Sequence, residues 1–284
     1  MKKVLLFILA ILNGLIAQEA SELPSNYIRE VKQIDKSKIV SLDLGYTSYA
    51  LDIDADIFNR AIDYELLELT LGMNFTYDSH WIFGIYYKGV LDEVKTNSIV
   101  DATGEKDSAT VDRNEFLLTT TYKIPLNNNY DREDKLSLHA IYYNSSVKSD
   151  NSFFLTESLR KEYNYKTEGL KISMIYVLRP FIQRHKFWIN GGLVYSQAEL
   201  DFKEYSNNLL KDTYVDDKVD LFGLNLGAGY SYTVNNNMTI KAIIDWYGFH
   251  AEEIDILSRS QGFLTRGTFN EQTYSLRVGT SYSF

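Results

Sequence analysis

The sequence predicts an all-β chain that closes into an antiparallel transmembrane β-barrel of about ten strands, with eight or twelve as alternatives. Three observations support this prediction. The 284 residues include 22 Tyr and 15 Phe, a usage typical of β-rich chains. Long segments alternate apolar and polar residues with a period of two. These segments run for roughly 12–18 residues, well beyond the ~5–6 of soluble strands.

The N-terminus has the layout of a secretory signal peptide. Lys2 and Lys3 precede about 13 mainly apolar residues, and small residues follow up to Ala17 and Ala20. The apolar run is shorter than the ~20 residues that a spanning helix needs. We therefore expect residues 1–17 to be removed, with cleavage after Ala20 as the alternative, and the product to be exported.

Composition excludes several classes of function. The chain has no Cys, which removes thiol nucleophiles, Cys-ligated zinc and disulfides. Its net charge is −9, and loss of the two signal-peptide lysines makes it more negative still. No basic face is evident for nucleic acid. We expect no cofactor and no nucleic-acid partner.

The domain organisation is simple. Residues 18–36 are polar, without sustained alternation, and are predicted to form a periplasmic N-terminal segment. Residues 37–284 repeat one pattern throughout and are predicted to form a single barrel domain. Strands are predicted near 37–53, 64–77, 81–95, 112–125, 135–148, 161–178, 186–203, 218–233, 238–250 and 271–284.

The connectors between these strands predict the orientation. The odd connectors are generally longer and are expected to be extracellular loops, whereas the even ones are expected to be periplasmic turns. Turn residues support this assignment at 78–80 and 234–237, since Asn and Asp tolerate left-handed backbone. The odd connectors are 54–63, 96–111, 149–160, 204–217 and 251–270.

Charged residues indicate which strand face is turned inward. A Lys or Arg that faces lipid at the bilayer midplane costs ~2–4 kcal/mol, so the charged face must line the lumen and the apolar face must meet the lipid. Aromatic residues near segment ends fit the girdles of a membrane protein. The predicted lumen charges, which could line a pore, are Asp43, Glu68, Lys88, Glu115, Lys123, Lys171, Lys241, Asp245 and Arg277.

The last predicted strand carries a further signal, because alternate positions up to the C-terminal Phe are mainly apolar. Together with the signal peptide and the repeated amphipathic strands, this stripe resembles bacterial outer-membrane β-barrel proteins. In that class a terminal aromatic stripe is recognised by the barrel-assembly machinery. The resemblance implies a monomer in the outer membrane. It also implies as partners the lipid bilayer, lipopolysaccharide, the export apparatus, periplasmic chaperones and the assembly machinery. The stripe consists of Tyr274, Leu276, Val278, Thr280, Tyr282 and Phe284.

Enzymatic sites are weakly indicated. Ten-stranded barrels include the omptin proteases, whose rim carries an Asp–His pair, but the Asp-x-His spacing of that family is absent here. His250 is the His expected at the outer rim, with acidic residues 252, 253 and 255 nearby. A lipid-modifying hydrolase would need Ser beside His, and Ser79–His80 lies in a predicted turn. A rim hydrolase is therefore the third of three functional expectations.

An acidic run that spans the end of the first predicted strand and the start of the first odd connector is a candidate for a cation site. Asp52, Asp54 and Asp56 have the spacing of a calcium loop, but Ile57 stands where such a loop needs Gly.

The charges of the lumen permit two functional interpretations. Its charges either neutralise one another and plug the barrel, or line a narrow ion-selective pore. A structural or surface-interaction role through acidic loops is the main expectation, and a small porin is the alternative.

Overall fold

A computed structural model of the chain describes residues 38–55, 58–78, 80–91, 96–99, 106–124, 136–152, 159–178, 184–206, 209–260, 262 and 264–284. The predicted signal peptide and N-terminal segment lie outside these residues. Among the described residues, no helix is long and apolar enough to cross a membrane. The strands are β1 (Lys38–Ala55), β2 (Phe58–Thr76), β3 (Trp81–Val90), β4 (Thr96–Ile99), β5 (Lys106–Ile124), β6 (Leu136–Ser152), β7 (Leu159–Leu178), β8 (His185–Ser206), β9 (Leu209–Thr233), β10 (Met238–Ser258) and β11 (Leu264–Ser283).

Ten of these strands form a closed antiparallel ring. Neighbours in the chain pair with one another, and the ring closes where β1 pairs with β11 and β3 pairs with β5. The four-residue β4 pairs with β5 in addition to this ring. The predicted closed barrel of about ten strands is therefore confirmed. Each of the ten ring strands pairs with a neighbour on both sides, so the ring itself has no open sheet edge, which a bilayer would penalise.

The first and last strands begin and end at the same rim, which we call the terminal end; the opposite rim is the distal end. The Phe284 amide donates to the Lys38 carbonyl oxygen at 3.0 Å. Asp78 makes a tight turn here by accepting the backbone amides of His80 and Trp81, each at 2.7 Å. The hydrogen bond from Trp81, followed by that from His80, holds the pKa of the Asp78 carboxyl below its ordinary value. Asn235 accepts two backbone amides in the turn between β9 and β10.

The terminal half of the barrel carries an apolar belt on its outer face. On β7 the side chains from Leu170 to Leu178 that point outward are all apolar and exposed, and they cover nine residues. Leu67 to Phe75 on β2 form a similar nine-residue stretch. Since a tilted strand crosses a bilayer in ~9–11 residues, the belt has the height of a membrane. Aromatic pairs flank it, such as Phe187–Tyr230 at the terminal side and Tyr195–Phe222 at the distal side.

The distal half reverses this polarity. On β1, Leu51 and Ile53 point inward and are buried, whereas the alternating Asp52 and Asp54 are exposed. Among the described residues, twenty-one buried apolar side chains form one cluster, which lies mainly inside the distal half. This section thus resembles a water-soluble barrel, with an apolar core and a polar outside. It extends far: β9 continues from Phe222 to Leu209, about 40 Å along the strand at ~3.3 Å per residue.

The structure corrects the prediction of long extracellular loops. Most of 54–63, 204–217 and 251–270 and half of 149–160 belong to strands, and β1 and β2 are separated by two residues. Alternation continues through these stretches, but its apolar members now face inward. The lipid-facing alternation ends where the outer face of a strand becomes polar, so a strand length predicted from it is too short.

Candidate functional site in the lumen

The candidate site is a layer of charged side chains in the middle of the barrel, between the apolar belt outside and the distal core above. Strand alternation places it there, since inward positions of β2, β3, β5 and β7 reach the same level. All nine predicted lumen charges are on inward-pointing positions. Their predicted role as pore lining stays a prediction.

Glu68 of β2 is the first centre of this layer. It is 1% exposed, and its carboxylate lies 2.7 Å from Lys88 Nζ and 3.2 Å from Arg113 Nη1. Thr47 donates a hydrogen bond to the same carboxylate. A buried carboxylate is tolerated when cations and donors compensate its lost hydration, and Glu68 has both.

Glu115 of β5 is the second centre. Its carboxylate oxygens lie 3.7 Å from Lys171 Nζ, 3.8 Å from Arg113 Nη2 and 4.0 Å from Lys88 Nζ. Lys171 also lies over the rings of Tyr143 and Tyr247, at 4.4 and 4.0 Å from their centroids. These aromatic faces stabilise the ammonium group further.

Two contacts bridge the lumen from wall to wall. Arg113 of β5 donates to the Tyr247 hydroxyl of β10, on the opposite side of the ring. Tyr165 of β7 donates to Glu271 of β11, four strands away. Because these side chains meet in the interior, they occupy the cross-section through which a solute would pass.

A second set of charges lies nearer the terminal end. Lys241 Nζ is 2.8 Å from Asp43, and Arg277 is paired with Asp245. The Arg277 and Asp245 side chains are 22% and 26% exposed, whereas Glu68 and Glu115 are almost fully buried. The lumen is therefore partly exposed at its terminal end, and the exposed fraction of its charged side chains falls to below a tenth in the charged layer.

The interior charges described so far balance one another formally: five carboxylates, including Glu271, face five cationic side chains, including Arg113. Lys123 is also on an inward position, near the terminal end of β5, and among the described residues no carboxylate is recorded within ion-pair distance of it. Apart from Lys123, the balance among the described residues favours a neutralised interior over a field that selects one sign of ion.

Sequence reasoning missed Arg113, Glu271 and the tyrosines of the layer. Arg113 shares its strand face with Glu115, and Glu271 shares its face with Arg277. The period of two was the signal that could have found both. The tyrosines carried no comparable signal, because Tyr occurs on lipid-facing and inward positions alike.

The cation-site candidates and the residues of the assembly stripe do not come together in one site. Asp52 and Asp54 lie exposed on the outer face of β1, and Asp56 lies outside the described residues. Within the described part of the chain, no group of three His, Cys, Asp or Glu could hold a metal ion. The assembly stripe from Tyr274 to Phe284 lies on the outward face of β11; its role stays a prediction.

His250 is not at the rim, which corrects the expectation on which a rim hydrolase depended. The strand β10 continues eight residues past it to Ser258, and His250 points outward with Nδ1 2.6 Å from Asn270 Oδ1. The neighbouring side chains 252 and 253 lie outside the described residues.

Asp212 ties two distal hairpins together. Its carboxylate accepts hydrogen bonds from Ser258 Oγ at 2.6 Å, the Ser260 amide at 3.0 Å and the Thr213 amide at 2.7 Å. Burial raises the pKa of the Asp212 carboxyl, but these donors outweigh it, and the net pKa is below the ordinary value. The β10–β11 connection is thereby fixed against β9.

Comparison with known proteins gives the fold class. No family model and no curated protein matches the chain. The outer-membrane protease OmpT from Escherichia coli superposes with a TM-score of 0.65 at 13% identity, covering 88% of this chain and 97% of that one. The translocator domain of the autotransporter NalP from Neisseria meningitidis gives 0.49 at 11% identity, covering 86% and 88%. OprG from Pseudomonas aeruginosa gives 0.37 at 14% identity, covering 89% and 98%.

The chain therefore has the fold of a bacterial outer-membrane β-barrel protein, as its sequence predicted. The apolar belt and its aromatic borders fit the expected location in the outer membrane. At 13% identity the likeness concerns the fold, and the role of a protease is that of the neighbour. The short turns at the terminal end and the long hairpins at the distal end are those expected of the periplasmic and extracellular sides of such a barrel.

Proposed function

We propose that this protein is a non-enzymatic outer-membrane barrel with a closed lumen, which acts through the outer surface of its extracellular half. The bridge between Arg113 and Tyr247 is the observation that carries the proposal. It crosses the lumen in the layer where the interior charges neutralise one another. Above this layer the apolar cluster fills the interior, so the bridge is one of two successive barriers.

The distal half gives the proposal its second part. Its strands hold a polar outer face well above the bilayer, while its own apolar core keeps that face rigid. A barrel that only filled space in the membrane would need neither a polar outer face above the bilayer nor a separate apolar core. We propose the lipid bilayer and lipopolysaccharide as its immediate surroundings, and assembly through the C-terminal stripe, as the outer-membrane class implies.

Single-channel recording of the refolded mature protein in a planar bilayer tests this function. We expect a silent bilayer, with a porin refolded in the same way as the positive control for insertion. Heat-modifiable migration of the recovered protein shows that the silent barrel is folded. Steady, discrete openings would replace the closed-lumen proposal with the small-porin alternative. Neutralising Lys241 or Arg277 would then change the ion selectivity.

A further inference from the structure

The outer wall of the distal half carries a concavity of about 360 Å³ between β7, β8, β9 and the end of β10. It lies beside an irregularity in the pairing of β8 with β9, where the register shifts between Ala198 and Leu200. One buried apolar residue contributes to it, and the rest of the lining is polar or charged. The lining consists of Asn164, Lys166, Glu199, Leu200, Asp201, Lys203, Thr213 and Arg259.

The charges of this concavity differ from those of the whole protein. Three cationic side chains and two carboxylates line it, a local excess of one positive charge in a chain of net charge −9. The carboxylates are held only loosely: Lys166 is 3.9 Å from Glu199, and Lys203 is 3.7 Å from Asp201. Good charge-assisted hydrogen bonds are about 2.7–2.9 Å long, so both ammonium groups can turn to another anion at little cost.

Arg259 supplies the excess charge, and its backbone is fixed beside the concavity. Among the described residues no carboxylate is recorded within ion-pair distance of its guanidinium group. Its backbone amide donates to the Thr213 carbonyl oxygen at 2.9 Å, and the flanking Ser258 and Ser260 are both held by Asp212. The exposed guanidinium group on this fixed backbone is suited to a phosphate or carboxylate, which it can bind with two hydrogen bonds.

The wall between Asn164 and Asp201 offers acceptors. These two residues face each other across β7 and β8, and Oδ1 of each is buried without a hydrogen-bond donor. A ligand hydroxyl group that meets either side chain after a small rotation would satisfy an acceptor that is otherwise unpaired. Cations and acceptors together suit a ligand that has both an anionic group and hydroxyl groups.

The height of the concavity above the apolar belt agrees with a ligand that has both an anionic group and hydroxyl groups. On β7, Lys166 lies four residues beyond Leu170, the last exposed apolar side chain on that strand. That distance is about 13 Å along the strand at ~3.3 Å per residue. The concavity therefore opens at the level where the sugars of membrane glycolipids begin.

We propose that this concavity binds an anionic saccharide, a sugar that carries a phosphate or carboxylate group. Lys203 and Arg259 contact the anionic group, and Asn164 and Asp201 accept hydrogen bonds from the hydroxyl groups. The inference deepens the proposed surface role and rests on it. The ligand chemistry has two possible sources, the phosphorylated core of lipopolysaccharide in the same membrane and a soluble anionic glycan.

Titration calorimetry with the refolded mature protein tests the site. The micelle is zwitterionic and has no sugar headgroups, and the probes are glucose 6-phosphate, glucose and a heparin-derived hexasaccharide. We expect saturable binding of glucose 6-phosphate but not of glucose. R259Q and K203Q should each weaken it at least tenfold. R266Q is the matched control, because Arg266 is an exposed distal arginine already 3.5 Å from Asp255, and it should change affinity less than twofold.

The same titration in vesicles that contain deep-rough lipopolysaccharide distinguishes the sources. If lipopolysaccharide fills the site, glucose 6-phosphate no longer binds to the protein in these vesicles. If the natural ligand is a soluble glycan, glucose 6-phosphate still binds and the hexasaccharide competes with it. The proposal is overturned if R259Q and K203Q bind as tightly as the parent, if R266Q weakens binding equally, or if no probe binds. None of these results changes the bilayer recording, so a failed site leaves the closed-lumen function standing.

Discussion

Arg113 and Tyr247 contact each other across the lumen, although 134 residues separate them in the chain. One stands on β5 and the other on β10, on opposite walls of the ring. The guanidinium group that reaches Tyr247 also serves both buried carboxylates of the charged layer, Glu68 and Glu115. Neutralisation of the interior and one of the two barriers in the lumen therefore depend on one side chain.

The first prediction concerns the two successive barriers in the lumen. The double variant R113A/Y247A removes the bridge but leaves the distal apolar cluster in place, so we expect the bilayer to remain silent. Recording parent and variant under identical salt and voltage checks this. Openings that appear in the double variant would show that the charged layer alone keeps the barrel closed.

The second prediction concerns the stability of the charged layer. Glu68→Gln leaves Lys88 and Arg113 with one carboxylate between them, and breaking a buried pair in this way costs about 3–5 kcal/mol. Urea unfolding in lipid vesicles measures the loss. Glu199→Gln is the matched control, since its pair with Lys166 is exposed and worth at most about 1 kcal/mol. Equal losses in the two variants would contradict the assignment of Glu68 as a structural centre.

The third prediction concerns the distal core. Phe269 is 0% exposed, and Phe269→Ala should cost about 3–5 kcal/mol through lost burial and the cavity left behind. Lys148→Ala, at an exposed position of β6, should stay within about 0.5 kcal/mol. Denaturant titrations followed by tyrosine and tryptophan fluorescence compare the two. A Phe269→Ala variant as stable as the parent would mean that the distal cluster contributes little to the fold.

The fourth prediction concerns the Asp212 clamp and its dependence on pH. The folded-state pKa of this carboxyl lies below its ordinary value of 3.8, so its stabilisation is present at neutral pH and is lost as pH falls through the folded-state pKa. At any pH above the ordinary pKa of the carboxyl, Asp212→Asn should lose about 1–3 kcal/mol of local stability. Amide exchange at Ser260 and Thr213, corrected for intrinsic rates, measures this. Unchanged protection in the variant would mean that another contact holds the hairpins.

The fifth prediction concerns the C-terminal stripe. Deleting Phe284 removes the terminal aromatic of the expected assembly signal but only one hydrogen bond of the barrel, that to Lys38. We expect less folded protein in the outer membrane of cells, with refolding into detergent micelles unchanged. Heat-modifiable migration reports both. If both yields fell together, Phe284 would matter for stability rather than for recognition.

The class of fold and the facing of each strand were determined by the sequence itself. A period of two assigns every residue to one of two faces, and the high cost of a charge in lipid decides which face is inward. For that reason the sequence alone predicts that Lys171, Asp245 and Arg277 face the lumen. The tight turn at 78–80 followed in the same local way, because Asp78 accepts backbone amides two and three residues ahead.

Which inward residues meet was decided by the tertiary structure. Register and ring closure brought Arg113 to Tyr247 and Tyr165 to Glu271, and neither distance along the chain nor residue type predicts such a pair. The strands' true length also came from the tertiary structure. Beyond the bilayer the solvent outside the barrel changes from lipid to water, so the apolar face turns inward without any break in the alternation. The concavity at Arg259 lies beside a register shift between β8 and β9, and pairing between strands is a property of the folded sheet.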